Sequence, residues 1–319
     1  MRDAETSTMT SLEPTTSHNG LKRLAKGSLC SRLILSLLAI GLTGATCSSP
    51  IPPPKDMLKS SQALVNAANQ ATDEVKTARL KEMRLDYFGQ QGRASVRQLI
   101  LTGAPDRLRI QTYIPGLDGV AGVLVCACGQ FAYHDRQNDV YHYGPARSDN
   151  IARVLPVGLS CTDLGSILLG GLPNARIKTE AEGEPELSWD DTTGRYKVAW
   201  KLNRGPHAGG QLVTQIRHGD WRVAEIKVKD SAGKLQYTYT AKSFERFGGQ
   251  LLPTSRRFLV ADDSEDISLS GDKVELNPEL PDLLFQLEAP PGSQLAYLGD
   301  RSPPPAPPRG GNLCELESE

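Results

Sequence analysis

Residues 94–135 read ASVRQLILTGAPDRLRIQTYIPGLDGVAGVLVCACGQFAYHD. Leu108, Ile110, Thr112 and Ile114 fall on one side of an extended chain there, with Arg107, Arg109 and Gln111 on the other. A period of two marks a strand in a sheet with one dry face and one wet face. The continuation to Gly144 supplies two or three more strands, with turns at Cys128-Gly129-Gln130 and Arg136-Gln137-Asn138.

Outward on the C-terminal side, SDNIARVLPVGLSCTDLGSILLGGLP (148–173) interrupts the strands. Ser148 is a candidate N-cap ahead of Ile151, Val154 and Leu155. Ser160 or Thr162 is a candidate cap for a second short helix carrying Leu164, Ile167 and Leu168, and Gly170, Gly171 and Pro173 stop it. Strands resume near 174–182, 185–190, 195–202, 210–218, 221–229, 234–245, 251–261, 266–270 and 272–276, at the spacing of a meander. Upstream, Leu58, Leu64, Val65, Ala68, Ala71, Val75 and Ala78 recur near helical spacing, which predicts one long amphipathic helix over 56–80. The residues alone give an α+β chain.

The leader has its own pattern. Lys22, Arg23, Lys26 and Arg32 precede LILSLLAIGLTGATCSSPIPPP (33–54), whose dense apolar run from Leu33 to Leu42 is too short to span a bilayer. Small residues lead into Cys47, and a Pro/Ser stretch follows it. This resembles a bacterial lipoprotein signal: 1–46 is cleaved, Cys47 is lipidated, and 47–55 is a stiff, unpacked tether. Residue 48 is Ser, which by the same resemblance directs the protein to the outer membrane, facing the periplasm. A folded domain over 56–300 follows, and the Pro-rich, then acidic, segment 301–319 reads as a disordered tail.

Composition narrows the function. The net charge is −1, so no basic field argues for nucleic acid. Hydrophobic residues make up 39% and charged residues 23%, the balance of a globular domain. No nucleophile elbow, phosphate loop, HExxH or Rossmann glycine pattern occurs. His134 and His142 lie near Asp135 and Asp139, and the simple reading is solvated strand ends, with no metal. The Cys-Ala-Cys at 126–128 puts two thiols on the same face of a strand. Cys126, Cys128 and Cys161 are candidate disulfide residues in an exported protein, and spacing does not decide which of the first two pairs with Cys161. We expect no catalytic residue and no cofactor.

RLRIQTYIPGLDGVAGVLVCACGQFAYHD (107–135), then the LPVGL and ILLGGLP elements of Leu155–Pro173, then a run of strands, together resemble the LolA/LolB lipoprotein-localisation superfamily, the LolB-like lipoproteins above all. The resemblance implies an incomplete antiparallel β-barrel of about eleven strands around an apolar cavity, with a long N-terminal helix and a short helical lid insert. It assigns Leu117, with Val120, to a membrane-contact loop. Ile151, Val154, Leu155, Leu164, Ile167 and Leu168 become the lid. Leu108, Ile110, Val123, Val125, Phe131 and Tyr133 become the cavity wall. The partners it implies are acyl chains of lipids or lipoproteins, the outer membrane through the anchor, and a periplasmic carrier protein, in lipoprotein localisation or envelope biogenesis. The alternative is a non-catalytic adaptor docking an envelope assembly or signalling partner, with the Pro-rich tail as its ligand.

Overall fold

In a computed structural model, which describes residues 49–90, 92–116, 119–260, 264–302 and 305–316, the alternating stretch lies inside a long meander. Strands β1 (Thr77–Gly89) and β2 (Gly92–Gly103) form a hairpin, followed by β3 (Arg107–Tyr113), β4 (Gly122–Ala127), β5 (Gln130–Asp135) and β6 (Val140–Pro145). Helices α2 (Ser148–Ile151), α3 (Cys161–Leu168) and α4 (Asn174–Glu180) interrupt the sheet. Then come β7 (Ala181–Asp190), β8 (Arg195–Leu202), β9 (Gln211–Arg217), β10 (Val223–Lys229), β11 (Leu235–Phe247), β12 (Gln250–Val260), β13 (Glu265–Ser270), β14 (Lys273–Leu276) and β15 (Gln294–Tyr297).

Among the described residues these fifteen strands form one sheet, ordered β15-β6-β5-β4-β3-β2-β1-β13-β12-β11-β10-β9-β8-β7, with β14 beside β1. Every pairing is antiparallel except β15 with β6. These strands outnumber the expected total of about eleven, because β1 begins inside the stretch expected to be helix and β15 is only four residues long. Strand β1 joins the halves: its first residues pair with β14 and its later ones with β13. The register slips between Leu80 and Met83, where Glu82 takes φ +52°. Such a bulge bends the strand and turns the sheet in on itself.

Helix α1 (Ser61–Asp73) is shorter than expected, with Ser60 as its N-cap accepting from the Ala63 N–H at 3.3 Å. Thr77–Leu80 joins the sheet instead, because Ala78 and Leu80 fit an alternate-residue pattern as well as a helical one. The strand expected near 174–182 is mostly helix α4. The described part of the tether is docked rather than free: Ile51 N donates to Asp191 O at 2.7 Å, and Trp189 Nε1 donates to Ile51 O at 2.9 Å. Residues 1–46 and Cys47 lie outside the described residues. Among the described residues no helix is long and apolar enough to cross a membrane.

The sheet is dry on both faces around β4. Inside lie Leu80, Ile100, Leu108, Leu124, Cys126 and Phe131; outside, Leu101, Val125, Ala132, Tyr141 and Tyr143 form a second cluster. That outer cluster is covered by residues 280–287 together with residues 305–316, the latter lying in the segment expected to be a disordered tail. Leu280, Phe285, Leu313 and Leu316 are buried against it. Arg109, read as facing water, donates to Leu284 O at 2.9 Å, and Tyr141 and Tyr143 hydroxyls donate to Leu287 O and Pro305 O, each at 2.6 Å. A disulfide between Cys128 and Cys314, 186 residues apart, closes this strap. A proline-rich chain with few apolar residues looks solvated in sequence; only the apolar outer face of β4–β6 explains why it packs.

Removing the strap's covalent closure tests its importance. Cys314→Ser is expected to lower unfolding stability by about 2–5 kcal/mol, read as a lower urea midpoint. It also exposes the outer cluster to hydrophobic dyes. An unchanged midpoint would mean that the strap adds nothing to the fold.

Candidate functional site

A cavity of about 380 Å³ lies between the inner face of the sheet and the helical insert. Its sheet side is made by Leu85 and Tyr87 of β1, Ile100 of β2, Ile110 of β3, Phe258 of β12, and Ile267 and Leu269 of β13. Its floor is Leu164 and Leu168, one helical turn apart on the same face of α3. The loop 152–157 covers it with Val154, Leu155 and Val157. Polar groups are few and paired: Gln98 Nε2 donates to Thr112 Oγ1 at 3.2 Å, and the Tyr87 hydroxyl donates to Glu265 Oε1 at 3.3 Å. Arg153 also borders the cavity and is exposed.

Helix α3 is fastened at both ends. At its start Ser160 is the N-cap, accepting from the Asp163 N–H at 3.2 Å and donating to Asp163 Oδ2 at 2.9 Å. The other lone pairs of Asp163 accept from the backbone N–H groups of Ala175 and Arg176, so one carboxylate serves the starts of both α3 and α4. Burial nevertheless pushes this carboxyl above the ordinary carboxylate range, against those donors. A disulfide ties Cys161, the first residue of α3, to Cys126 of β4.

At the other end three carbonyls point into the protein, where water cannot satisfy them. The Tyr239 hydroxyl donates to Ile167 O at 2.7 Å, Arg256 Nε to Leu168 O at 2.9 Å, and Arg222 Nη1 to Leu169 O at 3.3 Å. A positive guanidinium at a helix C-terminus also opposes the negative end of the dipole. Burial pushes the Tyr239 hydroxyl up to about 12 and the Arg256 guanidinium down. Arg176 completes the clamp with Nη1 on the Tyr237 hydroxyl at 2.6 Å and Nη2 on Gly158 O at 3.0 Å. Loop 152–157 packs Val154, Leu155 and Val157 against the inner core. Backbone hydrogen bonds of its N–H groups run to Ser148, Asn150, Ile151 and Leu155 within the same insert.

The insert read as one lid is therefore two parts. Val154 and Leu155 sit in the covering loop, Leu164 and Leu168 in a fixed floor. Ile151 and Ile167 are fully buried in the inner core and do not line the cavity. Of the expected wall, Ile110 lines it; Leu108 and Phe131 are inner core away from it, and Tyr133 is half-buried against that core. Val123 and Val125 face the opposite way, into the strap-covered cluster. Strand β4 is buried along its whole length, so every residue is apolar or small and no alternation marks which face is inner. Val120 is half-buried against that outer cluster, and Leu117 lies outside the described residues.

The true wall had a signal: Leu85 with Tyr87, and Ile267 with Leu269, each alternate along a strand. The two thiols of Cys-Ala-Cys do not share a face. Cys128 and Gly129 take φ +53° and +71°, a type I′ hairpin turn, so Cys128 leaves the strand and reaches Cys314. His134 Nε2 lies 3.2 Å from Asp139 Oδ1, while His142 stacks on Tyr133.

No family model matches the sequence, and no curated protein sequence matches it. Solved structures do match the fold. A protein of the DUF1329 family from Desulfovibrio piger is 11% identical, with a TM-score of 0.53 over 70% of this chain and 96% of that one. A domain named for outer membrane lipoprotein sorting, from Vibrio parahaemolyticus, is 10% identical, with a TM-score of 0.50 over 69% of this chain and 95% of that one. A LolA superfamily protein from Nitrosomonas europaea covers 72% of this chain and 99% of its own at 12% identity and a TM-score of 0.49. At these identities the likeness is one of fold, and the chain has the LolA/LolB-like fold of an incomplete antiparallel barrel.

Tyr239→Phe removes one fastening and leaves the Ile167 carbonyl buried without its donor. We expect a loss of about 1–3 kcal/mol in urea unfolding, with faster hydrogen exchange at the end of α3. Equal exchange in the two proteins would show that α3 does not need this bond.

Proposed function

We propose that the protein is an outer-membrane lipoprotein, anchored through Cys47, that shelters acyl chains of lipids or lipoproteins in the cavity beneath loop 152–157. It would act in lipoprotein localisation or envelope biogenesis, and would exchange its cargo with a periplasmic carrier. The single observation that carries the reading is the cavity itself: a chamber of about 380 Å³ whose lining is mainly apolar side chains of the inner sheet face and the helical insert. Its volume lies within the range of about 300–1,000 Å³ usual for small-molecule sites.

The physics needs no catalytic group. Each methylene moved from water into such a chamber contributes about 0.8 kcal/mol, so an apolar wall suffices for affinity. Entry and release fall to the covering loop, since the floor is fastened on every side. The adaptor reading loses one of its supports, because the Pro-rich segment meant as a partner ligand is packed against β4–β6.

Two measurements test the reading. Metabolic labelling with an alkyne-tagged fatty acid is expected to mark the wild-type chain and not Cys47→Ser. The full chain carrying Cys47→Ser, exported by its own leader, is expected to hold a lipid in native mass spectrometry. Ile110→Asp would place a carboxylate in the cavity wall and is expected to lower lipid occupancy at least tenfold while the protein stays folded by circular dichroism. A lipid-free protein that binds no acyl probe would refute the carrier role.

A further inference from the structure

Helix α3 divides the barrel interior. Leu164 and Leu168 face the apolar cavity, while Cys161, Thr162, Gly165, Ser166 and Leu169 border a second space of about 350 Å³ on the other side. That second space is bordered by Lys76, Asp106, Arg107 and Asp163, so it offers no continuation of the apolar wall. The partition is held by the Cys126–Cys161 disulfide, by Asp163, and by the bonds from Tyr239, Arg256 and Arg222 to Ile167, Leu168 and Leu169. The apolar chamber therefore has a fixed depth.

On this basis we propose that the cavity holds one acyl chain and that its ligand is a single-chain amphiphile, such as a fatty acid or a lysophospholipid. This deepens the acyl-chain reading and rests on it. At about 30 Å³ per small group, the share of one molecule in liquid water, three sixteen-carbon chains fill on the order of 1,400 Å³. The 380 Å³ cavity takes roughly a dozen methylene-sized groups by the same measure. Raising loop 152–157 opens the mouth but leaves α3 where it is, so it adds no room below. A triacylated anchor placed here would leave most of its methylenes in water. The mouth suits a polar headgroup: Arg153, the Tyr87 hydroxyl and Glu265 stand there with both signs of charge.

The test uses the full chain with Cys47→Ser, stripped of co-purified lipid on an apolar resin. A fluorescent fatty acid serves as reporter, and the competitors are a single-chain lysophosphatidylglycerol, dipalmitoyl phosphatidylglycerol and a tripalmitoylated cysteinyl peptide. The lysolipid is expected to displace the reporter at least tenfold more effectively than either multi-chain competitor, with one molecule bound per protein in native mass spectrometry. Across lysolipids of eight to eighteen carbons, affinity is expected to rise about fourfold per methylene and to level off near twelve. Equal or better competition by the diacyl lipid or the triacyl peptide overturns this inference and leaves the acyl-chain reading standing. An affinity that climbs unbroken to eighteen carbons overturns it too. Failure of all probes, reporter included, overturns both.

Discussion

A helix that ends inside a protein leaves its last carbonyls without partners, and each buried orphan costs as much as a lost hydrogen bond. Helix α3 ends in this way within the barrel. The answer is a set of long polar side chains sent inward from the opposite half of the sheet: Tyr239 from β11, Arg256 from β12, and Arg222 just ahead of β10. Two of these are arginines almost wholly removed from water, which a sheet interior tolerates only when the guanidinium is hydrogen-bonded. The cavity floor, the division of the interior and the separation of loop from helix all follow from this fastening.

Much of the fold was legible in the residues. The meander after residue 180 carries clean alternation and turn glycines, and its strands fall where period two puts them. What failed did so for definite reasons. Val75–Leu80 satisfies helical and alternating patterns at once, and pairing with β2 and β14 decides the matter. Strand β4 is buried on both faces, so its apolar run hides its own orientation, and Val123 and Val125 were assigned to the wrong side. Burial of the strap depends on an apolar face more than a hundred residues earlier in the chain, which no local pattern records.

The candidate site was legible in kind more than in detail. An apolar insert between two sheets' worth of strands points to something held beneath it. Leu164, Leu168, Val154, Leu155 and Ile110 are indeed gathered around one space. The part of the wall contributed by β12 and β13 was missed because these strands reach the first half of the sheet only through the pairing of β13 with β1, far earlier in the chain. Barrel closure is a long-range event, and it brings Phe258 opposite residues that precede it by about half the chain.

The pattern of disulfides has a consequence for how the molecule is made. The bond to Cys161 spans 35 residues, whereas Cys128 waits for Cys314, 186 residues on. As the chain is made, Cys126, Cys128 and Cys161 emerge together, long before Cys314. Until that residue arrives Cys128 has no native partner, and it sits at an exposed rim turn where a thiol is reachable. A chain cut before residue 314 therefore leaves the Cys128 thiol without its native partner, whereas one that includes Cys314 seals it. The strap thus doubles as a chemical record of whether the chain has been carried past Cys314.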